Sequence, residues 1–248
     1  MDAMILAAGV GSRLGEEITR HIPKALVPIA GRTALERVAE RLIRAGADRL
    51  IINVHHHAQQ IVDFVAARHG FGVEVVFSEE PDAPLETGGG LLHAAPLFRV
   101  DAPFFLHNVD VLSDLDLAQL YAQHASSPAL ATLAVNQRPT SRLLLFSEDG
   151  LCGRLDRRGA ARAEVHAPYS DDVRLVAFAG VHVISPAMLG LITERGAFSI
   201  IDAYLRLAAM GHLIAAWDIG DATWLEIGNP ERLAAARQFF AHSEPAPA

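Results

Sequence analysis

One cysteine, Cys152, stands among 248 residues, so the chain holds no pair for an internal disulfide and suits a reducing compartment. No run of about 18 apolar residues occurs, and no charged segment precedes a long apolar one. Neither a membrane span nor export is indicated, and the cytoplasm is the expected location. Positive charge is scarce: 21 Lys and Arg face 29 Asp and Glu, a net charge of −8, which speaks against a nucleic-acid surface. Lysine is scarcer still, because 20 of the basic residues are arginine and the one lysine is Lys24. Internal repeats are absent, and nothing points to a protein partner. Apolar residues are plentiful at 51%, enough for the core of one large α/β domain.

The stretch Met4–Lys24, MILAAGVGSRLGEEITRHIPK, is the most informative. An apolar run breaking into Gly9-Val10-Gly11-Ser12-Arg13 reads as a buried strand delivering a tight loop to a sheet rim. Gly9 and Gly11 let backbone N–H groups approach an anion, and Arg13 and Lys24 supply charge. A dinucleotide fingerprint would need a third glycine where Leu14 stands, and a Walker loop would need Gly-Lys-Ser/Thr where Gly11-Ser12-Arg13 stands. Leu-Ala-Ala-Gly-x-Gly-x-Arg followed by Pro23-Lys24-Ala25-Leu26-Val27-Pro28 instead resembles the signature of the sugar-phosphate nucleotidyltransferases, the NDP-sugar pyrophosphorylases. That the only lysine falls in this signature suits a position needing a compact ammonium rather than a planar fork.

Thr33 and Glu36 form a capping-box pattern before a helix carrying Leu35, Val38, Ala39, Leu42 and Ile43, which Gly46 stops. Strands over Arg49–Val54 and Val73–Phe77 bracket a helix over Ala58–Ala67. This alternation predicts a Rossmann-like mixed, mainly parallel sheet with helices on both faces, its ligands at the carboxyl ends of the strands. Consecutive side chains of a strand diverge, so His55-His56-His57 reads as a strand-to-helix turn and stays outside the site.

Three glycines at Gly88–Gly90, before a helix expected over Leu91–Ala95, mark a place where another group approaches the backbone. Leu85-Glu86-Thr87-Gly88-Gly89-Gly90 resembles the nucleobase-side loop of the N-acetylmuramate-1-phosphate uridylyltransferase branch, which would put Glu86 and Gly88 near the base. A carboxylate there could accept from uracil or from guanine. The strand Ala102–Leu106 delivers Asp110 to the rim, where a carboxylate can hold Mg²⁺ against phosphate oxygens. Val109 stands where the family usually has glycine. Asp114 and Asp116 suit capping of a helix over Leu115–Ala122.

From Ala129 to Ile184 short β-prone runs alternate with turns, Glu148-Asp149-Gly150 among them. The stretch Arg154–Asp172 reads as a mobile surface loop or lid. The Glu-Lys-Pro element common in the family is absent here, leaving an arginine to grip the sugar phosphate. Phe178–Pro186 resembles the segment forming the sugar-pocket floor. Phe198-Ser199-Ile200-Ile201-Asp202 leads into a helix to Ala209, and a strand covers Leu213–Trp217. In Trp224-Leu225-Glu226-Ile227-Gly228-Asn229-Pro230-Glu231 the family has Asp where Glu226 stands. Asn229 and Pro230 begin the last helix.

The expectation is thus one nucleotidyltransferase domain over 1–240, with a sugar-side region at about 136–220 and a disordered tail at 241–248. The resemblance implies condensation of an NTP, UTP or GTP, with a sugar 1-phosphate to give an NDP-sugar and pyrophosphate. Leu6, Ala7, Ala8, Gly9, Gly11, Glu86 and Gly88 would bind nucleotide, Asn108 and Gly180 sugar, and Asp110 and Glu226 Mg²⁺. Arg13 would hold the leaving pyrophosphate and Lys24 the α-phosphoryl. UTP with N-acetylmuramate 1-phosphate, GTP with mannose or heptose 1-phosphate, and a non-catalytic sugar-nucleotide binder all remain open. A nucleotide-binding oxidoreductase is weakened by Leu14.

Overall fold

Residues of the first strand bury alternately to opposite sides: Ala3 and Ile5 enter one apolar cluster and Met4 the other, as the side chains of a strand covered on both faces must. The computed structural model describes residues 1–80, 82–158, 162–167 and 172–243. The chain runs β1 (Asp2–Leu6), α1 (Glu16–Thr19), a hairpin of β2 (Pro28–Ile29) and β3 (Arg32–Thr33), α2 (Ala34–Arg44), β4 (Arg49–Val54), α3 (Ala58–Ala67) and β5 (Glu74–Glu79). Then come α4 (Glu86–Ala94), β6 (Phe104–Asn108), β7 (Val111–Ser113), α5 (Leu117–Ala125), β8 (Ala131–Asn136), β9 (Arg142–Ser147), β10 (Gly150–Asp156) and β11 (Arg162–Val165). The long β12 (Arg174–Ile184), α6 (Ile200–Ala209), β13 (Ile214–Asp218), β14 (Trp224–Glu226) and α7 (Pro230–Ser243) complete it.

In the main sheet β5, β4, β1 and β6 lie side by side and parallel. The antiparallel β12 joins β6 to β8, and β13 is parallel to β8. Every strand from β5 across to β13 except β12 therefore points one way. This is the mixed, mainly parallel sheet expected. The two apolar clusters are its two covered faces: Leu35, Leu42, Ile61 and Leu233 of α2, α3 and α7 bury on one, Leu91, Tyr204 and Leu207 of α4 and α6 on the other. The crossovers after β1 and β4 pack on one face and that after β5 on the other, so the order reverses at β1, between β4 and β6. A crevice at such a reversal is the ligand position of this architecture.

Local chemistry fixes the element ends. Thr33 Oγ1 accepts from Glu36 N at 3.1 Å and Glu36 Oε2 from Thr33 N at 3.2 Å, the reciprocal cap that starts α2. Asp116 caps α5 by accepting from Gln119 N at 2.9 Å, whereas Asp114 accepts from Thr223 N at 2.7 Å and ties the approach to β14 instead. Helix α5 therefore begins two residues later than expected. Asn229 caps α7 through Arg232 N at 2.9 Å.

Three further expectations are corrected. The glycines Gly88–Gly90 lie inside α4, not before it. The stretch read as a loop or lid over Arg154–Asp172 holds the end of β10 and all of β11, an antiparallel extension that joins the sheet through β9 and the start of β12. Its alternating Arg and Glu hide the strand period because both faces are wet. Residues 159–161 and 168–171 of that stretch lie outside the described residues. The last helix reaches Ser243, beyond the expected start of the tail, and 244–248 also lie outside. Among the described residues no helix is long and apolar enough to cross a membrane.

Candidate active site

At the order reversal β1 and β6 end together: Leu6 pairs with Asn108, and Val109 N donates to Leu6 O at 3.2 Å. Val109, in the place of a glycine, is buried. Beyond Leu6 the chain turns at Gly11, whose φ of +67° is left-handed and whose carbonyl accepts from Leu14 N at 2.8 Å. A Cβ there would stand 2.8 Å from the Thr19 methyl and 3.3 Å from Lys24 Cβ. Glycine thus lets the turn lie against the segment bearing Lys24. At Gly9 the corresponding space is open, which leaves its backbone approachable. The amides of Ala7 and Ala8 are engaged: both donate to Asn53 Oδ1, at 2.6 and 3.3 Å.

Asn53 and Glu80 are the residues that sequence reasoning missed. Both are almost fully buried. Asn53 Nδ2 donates to Glu80 Oε1 at 2.7 Å, and Glu80 Oε2 accepts from Leu85 N at 2.8 Å. A buried carboxylate needs such donors, and the chain of bonds ties the loop after β1 to the loop entering α4. A polar Asn near the end of the apolar strand Leu50–Val54 was the available signal.

Pro23 enters extended and Lys24–Leu26 form a single 3-10 turn that sinks Lys24 to 9% exposure. Its Nζ makes an ion pair with Asp110 Oδ2. The Asp110 carbonyl accepts from Ile227 N at 3.0 Å, and Glu226 pairs across the β7–β14 ribbon with Val111. Asp110 and Glu226 therefore reach one rim from two bonded segments. Arg232 forms an ion pair with Glu226, and Arg13, largely exposed, stands 3.9 Å from it. Gly228 leaves the room that the longer Glu226 side chain fills, since a Cβ there would collide with its carboxylate.

Among the described residues no three acidic, His or Cys side chains cluster as a metal cage. Two carboxylates at the mouth of one cleft still fit Mg²⁺, which takes one or two carboxylates and completes its shell with substrate phosphates and water.

A cleft of about 960 Å³ opens beside this rim, lined by Arg13, Asn108, Asp110, Gly180 and Glu226 and walled by β9, β10 and β11. Gly180, φ +78°, lies against Asn108: a Cβ would come within 3.0 Å of the Asn108 amide nitrogen. Arg138 stacks 3.9 Å over Trp224 and donates to Asn136 Oδ1 at 2.8 Å and Phe178 O at 2.9 Å. Burial lowers its pKa and nearby Glu226 opposes that. It is a braced cation at the cleft floor that the sequence did not single out.

Glu86 and Gly88 do not line this cleft. Glu86 is exposed, with a left-handed φ of +58° at the start of α4. Gly88 N donates to Phe198 O at 2.9 Å, and the Phe198 ring fills the space of a Cβ. Gly89 faces the Gly196 carbonyl, and Gly90 faces Glu80 and Asn53. The groups that approach these glycines are the protein's own. Of the three histidines, His55 meets the Glu80 carbonyl, His56 the Thr19 carbonyl at 3.2 Å, and His57 turns left-handed to start α3.

Residues 3–207 match the family described as MobA-like NTP transferase domain. An N-acetylmuramate alpha-1-phosphate uridylyltransferase of Caulobacter vibrioides is 29% identical over 97% of both chains. One from Neisseria meningitidis serogroup B is 38% identical over 52% of this chain and 54% of its own. Among solved structures, a putative glucose-1-phosphate thymidylyltransferase from Bacillus anthracis in complex with a sucrose matches with a TM-score of 0.82 at 15% identity, over 100% of this chain and 98% of that one; at that identity it speaks for the fold alone.

Proposed function

The chain belongs to the MobA-like NTP transferase domain family, which makes it a nucleotidyltransferase, and on that premise we propose that it joins UTP to N-acetylmuramate 1-phosphate, releasing pyrophosphate. The observation that carries the reading is the Lys24–Asp110 ion pair at the strand-order reversal, beside a cleft that also holds Arg13 and Glu226. The two uridylyltransferases, one similar along nearly the whole chain, support the choice of base and sugar.

A phosphomonoester has its second pKa near ~6 and is mostly dianionic at neutral pH, so the attacking oxygen needs no general base. Catalysis is then positioning and charge neutralisation around the α-phosphorus. Asp110 and Glu226 would hold Mg²⁺, which would supply positive charge to the phosphates when bound. Lys24, on the same carboxylate, neutralises the α-phosphoryl group. Arg13 and the open backbone at Gly9 hold the departing pyrophosphate. Asn108, shaped against Gly180, meets the sugar. Asn53 keeps the Ala7–Ala8 turn in place from behind.

Pyrophosphate release measured over a matrix of four NTPs against N-acetylmuramate, N-acetylglucosamine, mannose and glucose 1-phosphates tests this. The expected maximum is UTP with N-acetylmuramate 1-phosphate. A maximum with GTP and mannose 1-phosphate would replace the substrates, and no release in any cell of the matrix would leave only a sugar-nucleotide binder.

A further inference from the structure

The wall of the cleft opposite the rim is an arginine surface with more positive charge than its own acids use. In the β9–β10–β11 ladder Asp156 pairs with Arg142 on one side and Arg162 on the other, and Arg154 pairs with Leu144 and Glu164. Directly opposed residues of an antiparallel ladder share a face, and all six line the cleft. Arg154 is spoken for by Glu164 at 2.8 Å and Asp202 at 2.6 Å, and Arg158 takes Asp156 at 2.5 Å. Arg142 and Arg162 flank that same Asp156, yet neither makes an ion pair among the described residues. Arg142 acts on Asp156 only through space, the ion pair itself going to Arg158, and two guanidinium groups without an ion pair among the described residues stand out on one wall in a chain of net charge −8. The cations at the rim, Lys24, Arg13 and Arg232, are engaged with Asp110 and Glu226.

Resting on the nucleotidyltransferase reading, we propose that Arg142 and Arg162 are the specificity-determining pair of this cleft and bind a carboxylate carried by the sugar, so that the accepted sugar 1-phosphates are acidic ones. The planar guanidinium fork matches a carboxylate in two parallel hydrogen bonds, which gives orientation as well as attraction. Strands, not a loop, carry both arginines, so their backbone positions are set across the ladder before the sugar arrives.

N-acetylmuramate 1-phosphate and N-acetylglucosamine 1-phosphate differ by one lactyl ether bearing a carboxylate, which isolates the interaction. With the full chain, UTP and Mg²⁺, wild-type kcat/KM should favour the acidic sugar on the order of tenfold or more, the range of a charge-assisted hydrogen bond. Arg142→Gln and Arg162→Gln should each lower that ratio several-fold, mostly by raising KM for the acidic sugar. Because both side chains are exposed, thermal unfolding of each variant should match wild type. A wild-type ratio of one or less would overturn the proposal. So would variants in which both sugars lose equally, since the arginines would then be holding the anomeric phosphate. Turnover of neutral sugars alone would sink the carboxylate site and leave the transferase reading standing, whereas no turnover with any sugar phosphate would sink both.

Discussion

Lys24 and Asp110 form an ion pair across 86 residues of sequence. The pair joins the segment after α1 to the rim of β6, and nothing local to either residue demands it. Glu226 reaches the same rim through the β7–β14 ribbon, with Arg13 and Arg232 as its cations. The site thus holds its carboxylates already neutralised by the protein's own cations.

Asn53 is the post on which the loop after β1 hangs. Replacing it by alanine strips the acceptor from the Ala7 and Ala8 amides and leaves buried Glu80 short of a donor. Each unsatisfied buried group costs about 1–3 kcal/mol. Asn53→Ala should lose roughly 2–4 kcal/mol in urea unfolding and weaken UTP binding in calorimetry. A stability change under 1 kcal/mol would show that the network matters little.

The Gly88 position is set by Phe198. Gly88→Ala puts a methyl into the Phe198 ring and should destabilise by about 1–3 kcal/mol as overpacking does. Phe198→Leu in the same chain should recover part of that loss, a coupling expected of touching residues. Additive effects in the double-mutant cycle would contradict the contact.

Gly228 serves Glu226 rather than the fold. Gly228→Ala would push the Glu226 carboxylate, the free end of a flexible side chain, out of its place. Unfolding should change by less than about 0.5 kcal/mol, while the Mg²⁺ concentration for half-maximal rate should rise on the order of tenfold, as for lost support of a ligand. An unmoved Mg²⁺ requirement would take Glu226 out of metal binding.

Acid should weaken the fold through three buried histidines. Burial pushes His107 and His124 down to about 4 and His182 to about 3, from 6.5. Between pH 6.5 and about 4 the unfolded chain binds the protons that the folded one refuses, so unfolding free energy rises with pH there. The stability is complete above pH 6.5 and drains as pH falls. Denaturant titrations at pH 7 and pH 5 should differ by about 2 kcal/mol per histidine. Equal stability at the two pH values would mean that these rings titrate in the fold as they do in the unfolded chain.

The sheet was legible because its strands are apolar and its helices carry their own caps: Arg49–Val54 and Ala58–Ala67 fall where periodicity puts them, and Thr33 with Glu36 starts α2 as written. The β10–β11 extension was not, since β11 has no buried face, so the alternation of Arg162-Ala163-Glu164-Val165 points to no core. Lys24, Asp110, Arg13 and Glu226 stood out by residue type and came together in space. Asn53, Glu80 and Arg138 did not, because the groups that give them a role, each other, distant backbone and the Trp224 ring, are mostly brought near only by folding. The three glycines announced a close approach correctly but could not say that the approaching groups were Phe198, the Gly196 carbonyl, and Glu80 with Asn53.

The direct test of the account is pyrophosphate release from UTP and N-acetylmuramate 1-phosphate with Mg²⁺, comparing wild type with Lys24→Ala and Asp110→Asn, each first checked for native circular dichroism. Loss of on the order of 10²-fold or more in kcat is predicted for both, the size expected when a charge aimed at the transition state is removed. Turnover within threefold of wild type in either folded variant would contradict it.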